Sequence, residues 1–151
     1  MKKLILLFLL CSGGLMIQTT SAQISIRANI STQPIWGPVG YDHVDNYYIP
    51  EIEAYYNVPT RQYSYKENGR WVSRTTLPAR NRNFDMFKAR KVVINGSRPY
   101  MRDREYSAKY RTSTEGSNLQ SIRDSKDSKY FVNKNHPEYA KWKKNNRING
   151  R

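Results

Sequence analysis

The side chains best suited to catalysis are few and widely separated in this sequence. The two histidines, His43 and His136, lie in different halves of the chain, and Glu51 and Glu53 are the only close pair of carboxylates in the region that we expect to fold. Two glutamates at this spacing on a strand are more often solvated charges than an acid–base pair. No Gly-x-Ser-x-Gly, phosphate-binding glycine-rich loop or His-Glu-x-x-His motif occurs. We therefore predict that the protein is not an enzyme; the remaining alternative is a hydrolase that uses Glu51, Glu53 or His43.

A metal or cofactor is not indicated either. Asp42-His43-x-Asp45 offers oxygen and nitrogen ligands, but a metal site needs three or four converging ligands whose own neighbours hold them in place. We expect a solvated turn at this point, and we predict no metal and no cofactor. The single cysteine, Cys11, lies in the expected leader, so the remainder of the chain has no thiol for disulfide or thiolate chemistry.

Basic residues carry the strongest remaining signal. The chain has 26 lysines and arginines against 12 acidic residues, and its formal net charge is +14. Aromatic residues are interleaved with these cations, which suits contact with polyanions. The alternative is that the positive charge only keeps a tyrosine-rich protein in solution. The predicted anion-binding residues are Arg61, Lys66, Arg70, Arg74, Arg80 and Arg82.

These residues lie in and after a β-hairpin that we expect at the centre of the fold. Strands are predicted at residues 52–56, 61–66, 70–75 and 91–95 from their β-branched and aromatic residues, which mostly alternate with polar ones. Pro99 begins a short helix on which Tyr106 and Tyr110 share one face. The sequence therefore predicts a mainly β fold, a small antiparallel meander of three to four strands with one short helix.

The hairpin turn at Asn68-Gly69 allows two registers. A two-residue loop pairs Tyr65 with Val72, whereas a three-residue loop that includes the preceding glutamate pairs Tyr65 with Trp71. We favour the three-residue loop because it gathers the aromatic residues on one face, where cross-strand pairs stabilise a sheet. That register places Lys66 opposite Arg70, on a polar face that Arg61 and Arg74 share. Two like charges side by side would favour an anionic partner.

The first 22 residues have the organisation of a cleaved signal peptide. Lys2 and Lys3 precede an apolar run at residues 4–10, and Thr20-Ser21-Ala22 supplies the small residues before a cleavage site. The run is too short to span a membrane, so we expect no transmembrane segment after the leader is removed. A lipid anchor at Cys11 is the alternative. Export predicts a periplasmic or cell-surface location in a Gram-negative bacterium, away from intracellular nucleic acid.

Three regions are predicted after the leader. Residues 23–35 are polar with scattered isoleucines, and we expect an extended arm there. Residues 36–111 form the small β-rich domain. Residues 112–151 are rich in serine, asparagine, lysine and aspartate, a composition that buries too little apolar surface to offset the entropy of ordering. We therefore expect a low-complexity, largely disordered basic tail.

Four short motifs resemble an uncharacterised family of small, tyrosine-rich exported proteins of the Bacteroidota. The resemblance implies an envelope location; it implies no activity and identifies no functional residue. The motifs are Pro34-x-Trp36-Gly37-Pro38-x-Gly40-Tyr41-Asp42, Tyr47-Tyr48-Ile49-Pro50-Glu51-Ile52, Asn68-Gly69-Arg70-Trp71 and Arg98-Pro99-Tyr100.

Composition, motifs and resemblance together predict a non-enzymatic exported protein that contacts anionic components of the cell envelope. Its expected partner is an anionic envelope polymer or another envelope protein. The alternative function is a structural or protein-interaction module that uses a face of tyrosine and tryptophan side chains on the sheet.

Overall fold

A five-stranded antiparallel sheet forms the centre of the computed structural model, which describes residues 19–149. The spatial order of the strands is β4-β3-β2-β1-β5, so β1 to β4 form the predicted meander and β5 pairs with the free side of β1. The strands are β1 (Asn46–Ile49), β2 (Ala54–Asn57), β3 (Gln62–Glu67), β4 (Arg70–Arg74) and β5 (Val92–Ile94). The α-helices are α1 (Thr19–Thr32), α2 (Asp103–Tyr110) and α3 (Tyr139–Asn149).

The mainly β fold is confirmed, but the strand count of three to four is wrong because β1 was missed. All four residues of β1 are buried. A strand that is covered on both faces shows no alternation of apolar and polar residues, so the period-two pattern is absent there. The strand predicted at residues 52–56 begins only at Ala54, because Pro50–Ile52 forms a 3-10 turn and Glu53 is left-handed with a φ of 47°.

Each face of the sheet has its own cover. On the helix side, Tyr48 and Tyr55 pack beneath Tyr106 and Tyr110 of α2. This confirms the prediction that these two helical tyrosines share one face. The opposite face, the loop side, carries Tyr47, Ile49 and Tyr56; it packs against Trp36 and against the segment that contributes Phe84, Met86 and Ala89. The aromatic residues are therefore divided between two cores.

The hairpin uses the two-residue loop, so the favoured register is wrong. Tyr65 pairs with Val72 and Lys66 pairs with Trp71. Asn68 and Gly69 both have positive φ, 50° and 76°, as a type I′ turn requires. The register was chosen to place Trp71 on the same face as Tyr65. Trp71 instead packs with Tyr55 on the helix side, at a ring-centroid distance of 5.7 Å, while Tyr65 faces the loop side.

The regions flanking the domain also differ from expectation. The predicted extended arm is helical as far as Thr32, and Ile30 of α1 is buried with Ile122 and Tyr130 from the predicted disordered tail. Asn133, also buried, donates hydrogen bonds from Nδ2 to the backbone oxygens of Ile30 and Gln33 at 3.1 and 2.6 Å. The tail was misjudged because it is ordered by a few apolar residues together with buried, hydrogen-bonded polar ones.

The predicted leader lies largely outside the described residues. Residues 1–18, which include Cys11, are not described, so cleavage, lipidation and export stay predictions. In residues 19–149, no helix combines the length and apolar character that a membrane crossing requires.

Candidate anion-binding surface and groove

Among the ion pairs found in residues 19–149, Lys66 is the predicted site residue that takes part in one. Its Nζ donates to Oδ2 of Asp103 at 2.8 Å and lies 5.1 Å from the ring centroid of Trp71, on the helix side. The hydrogen bond with Asp103 raises the pKa of Lys66. Asp103 also accepts a 3.0 Å hydrogen bond from the Tyr55 hydroxyl. Lys66 therefore ties β3 to α2, and it does not share a face with Arg70 and Arg74.

Arg70 and Arg74 lie on the outermost strand, β4, in the register positions of the loop side. Arg70 is opposite Glu67, not opposite Lys66 as the sequence predicted, and Arg74 is opposite Tyr63. Both arginines are exposed, and the ion pairs found among residues 19–149 include neither of them. Two exposed cations on an edge strand also discourage unwanted strand pairing.

Arg61 and Arg80 are two further exposed arginines near β3. Arg61 precedes β3 with a φ of 56°; its charge partly offsets the rise in the pKa of Tyr56 that burial causes. Arg80 lies in the 3-10 turn Ala79–Asn81, and its Nη2 approaches the backbone oxygen of Lys66 at 3.5 Å. Arg82 follows directly after this turn. We call this set of exposed arginines the arginine edge; it consists of Arg61, Arg70, Arg74, Arg80 and Arg82.

Half of the 12 acidic residues form ion pairs with lysine or arginine side chains of the described chain, and none of these cations belongs to the arginine edge. Glu51 accepts from Arg90 Nε at 2.9 Å, Asp42 accepts from Lys129 Nζ at 3.0 Å, and Asp124 accepts from Arg123 Nε at 2.9 Å. Among residues 19–149, no ion pair includes a member of the arginine edge. In the register of the described strands, Glu67 is the one acidic residue directly opposite a member of this edge, Arg70. The positive potential of this edge is therefore largely uncompensated by the chain itself.

The residues considered for catalysis do not converge. Glu51 lies on the 3-10 turn rather than on a strand, and its Oε1 accepts from both the backbone N–H and Nε of Arg90. His43 is 2.9 Å from Asp45 at the surface, whereas His136 is buried and bonded to the backbone of the C-terminal region. Within residues 19–149, no three His, Asp, Glu or Cys side chains are grouped so that they could hold a metal ion.

A groove that the sequence did not predict opens on the helix side of the sheet. Its volume is about 250 Å³. Its floor comes from β1 to β4, mostly from residues with polar side chains but including the ring of Tyr55, and one wall is the loop that leads into α2. Gln62, Ser64 and Ser73 line the floor, while Arg98 and Tyr100 line the wall.

A chain of side-chain amides holds the floor and wall of the groove together. Asn46, which is buried, donates from Nδ2 to the Gly96 backbone oxygen at 2.7 Å and so fixes the loop. Asn57 donates to Oδ1 of Asn46 at 2.9 Å, and Thr60 donates to Oδ1 of Asn57 from both its backbone N–H and its hydroxyl. A signal for this network was present in the sequence, because asparagine stands in neighbouring strands where an apolar residue would be expected.

The sequence matches no protein-family model, and neither curated proteins nor solved structures include a significant match to it. The resemblance to small exported Bacteroidota proteins therefore stays a prediction.

Proposed function

We propose that this is an exported, non-enzymatic protein that binds anionic polymers of the cell envelope through the arginine edge. The observation that carries the proposal is the set of exposed arginines that the described chain leaves without a carboxylate partner. The guanidinium group is always charged and forms paired hydrogen bonds with carboxylate and phosphate oxygens.

The geometry of β4 suits a long ligand better than a small one. Arg70 and Arg74 lie on the same side of the strand, about 13 Å apart at the usual rise of a β-strand. An anionic chain that runs along the edge can contact both of them and reach Arg80, which lies close to the hairpin. Such contacts bring affinity without strict specificity, because charge attraction does not depend on sequence or linkage.

The alternative, a protein-interaction module that presents a tyrosine and tryptophan face, has less support. Tyr48 and Tyr55 are covered by α2. Tyr47 and Tyr56, on the loop side, are covered by Trp36 and by the segment that contributes Phe84, Met86 and Ala89. Docking through either aromatic face would require a partner to displace part of the chain's own core, which would expose apolar area that stabilises the fold.

The test is the affinity of the purified protein for polygalacturonate and for neutral dextran, measured by titration between about 0.05 and 0.5 M NaCl. The proposal predicts binding to polygalacturonate that weakens steadily as salt rises, and no binding to dextran, because each contact releases counterions. Equal affinity for both polymers, affinity that salt does not change, or no binding to polygalacturonate at low salt would contradict it.

A further inference from the structure

We infer that the groove on the helix side binds one carboxylate-bearing sugar ring of an acidic polysaccharide. This inference deepens the proposed function and rests on it for the class of polymer. The groove and the arginine edge lie on different parts of the molecule. The edge attracts the polymer as a charged chain, whereas the groove recognises the chemistry of a single unit.

Unpartnered polar groups line the groove next to the fixed amide network. Gln62 is partly exposed, and its carboxamide has no hydrogen-bond partner among residues 19–149; the same holds for the hydroxyl of Ser97. A carboxamide both donates and accepts, and so does a hydroxyl. Together they match the alternating donors and acceptors that adjacent sugar hydroxyls present.

Arg98 supplies the group that would distinguish an acidic sugar from a neutral one. It lines the groove, is exposed, and takes part in none of the ion pairs found in the described chain. Its φ of 47° is left-handed, an unfavourable conformation for a non-glycine residue. Strained backbone of this kind concentrates at functional sites. A guanidinium in this position can hold a carboxylate through two parallel hydrogen bonds.

Tyr100 provides an aromatic wall whose orientation is fixed. Its ring packs against Trp71 at a centroid distance of 5.3 Å, and Trp71 in turn packs against the buried ring of Tyr55. The hydroxyl of Tyr100 has no hydrogen-bond partner among the described residues. An aromatic side chain with one apolar face and one free polar tip suits a sugar ring, which has apolar C–H faces and a polar rim.

The size of the groove limits what it can hold. At about 250 Å³, it is smaller than the roughly 300 to 1,000 Å³ of pockets that enclose drug-sized molecules, so one ring is the natural occupant. A second cavity of about 370 Å³ adjoins it across the loop and shares Ser97, Arg98 and Pro99 as lining. A polymer bound by one ring can therefore continue across the loop into open space.

The inference is tested with ¹⁵N-labelled protein titrated with trigalacturonate and with its carboxyl-reduced, neutral counterpart. We expect trigalacturonate to shift the side-chain amide signals of Gln62 and the backbone signals of Ser97, Arg98 and Tyr100. The neutral trisaccharide should bind at least about 10-fold more weakly, because it lacks the charged hydrogen bond to Arg98. Absence of shifts in the groove, or equal binding of the two compounds, would overturn the inference.

Two variants make the result specific to the groove. Arg98→Asn removes the charge while asparagine tolerates the left-handed backbone, so the fold should be kept and trigalacturonate affinity should fall about 10-fold. Arg104→Asn, an exposed arginine of α2 outside the groove, is the matched control and should leave affinity unchanged. An equal loss in both variants would overturn the inference. Polygalacturonate binding that persists without any shift in the groove would overturn it too, while the proposed function would stand.

Discussion

The hydroxyl of Tyr47 donates a 2.9 Å hydrogen bond to Oε1 of Gln33, and both side chains are almost fully buried. Gln33 Nε2 in turn donates to Oδ1 of Asn29, which also accepts the backbone N–H of Val44. A buried polar group is tolerated only when its hydrogen bonds are satisfied. This chain of contacts joins α1 to β1, an interior strand of the sheet.

Replacing Tyr47 with phenylalanine should destabilise the protein by about 1 to 3 kcal/mol, because the buried oxygen of Gln33 loses its donor. Tyr41→Phe is the matched control; Tyr41 is 36% exposed, and a change at such a site should cost less than about 0.5 kcal/mol. The free energy of unfolding of both variants, measured by urea denaturation, decides the question. Equal losses would show that the bond to Gln33 contributes nothing.

The C-terminal region is held to the sheet at Gly116, next to the strand β5. Its backbone oxygen accepts the N–H of Lys91 at 3.2 Å. Gly116 has a φ of +80°, and a Cβ atom at this position would lie 2.8 Å from the backbone carbon of Lys91. Because backbone atoms cannot move aside as a flexible side chain can, the contact leaves no room for any other residue.

Gly116→Ala should therefore combine backbone strain with a clash and cost about 2 to 5 kcal/mol. Gly40→Ala is the control, since Gly40 has a φ of +96° but open space around the added methyl group. It should show the strain alone, about 1 to 2 kcal/mol. Thermal unfolding of both variants provides the comparison. If the tail were disordered as its composition suggested, Gly116→Ala would have no effect.

Elements with a local signature were predictable, and those that depend on distant contacts were not. The Asn68-Gly69 turn and the pair Tyr106 and Tyr110 follow from spacing within a few residues. The hairpin register was misjudged because Trp71 is placed by Tyr100, almost thirty residues later in the chain. The same applies to the groove, whose wall meets its floor only after folding. The arginines were identified by composition. That Arg70 and Arg74 lie on the opposite face of the sheet from Lys66 follows only from the correct hairpin register.

Tyrosine forms much of the interior of the whole molecule, and this makes its stability sensitive to alkaline pH. Burial raises the pKa of Tyr48 and Tyr63 to about 12, from an ordinary value of 10.0. Burial and the neighbouring Asp103 raise the pKa of Tyr55 as well. The stabilisation linked to each raised pKa is fully present below about pH 10. It is lost as the pH rises further, because the unfolded chain releases its phenolic protons at a lower pH than the folded chain.

The free energy of unfolding should therefore fall as the pH rises from about 10 to about 12. Burial lowers the pKa of Lys91 from its ordinary value of 10.5, so this lysine makes the free energy of unfolding rise with pH up to about pH 10.5. The fall caused by the tyrosines should therefore be clearest above that pH. Urea denaturation combined with tyrosinate absorbance gives the measurement. Tyr48→Phe should show a shallower fall than the parent protein. A free energy that stays constant over this range would contradict the assignment of a tyrosine core.

We propose that anionic polymers bind at the arginine edge and are not held merely by the net charge of the molecule. The most direct measurement compares polygalacturonate affinity, at one low salt concentration, between Arg70→Glu/Arg74→Glu and Arg104→Glu/Arg111→Glu. Both double variants change the net charge by the same amount, and all four arginines are exposed. We predict a loss of at least about 10-fold for the edge variant and less than about 3-fold for the control. Equal losses in the two variants would contradict the claim.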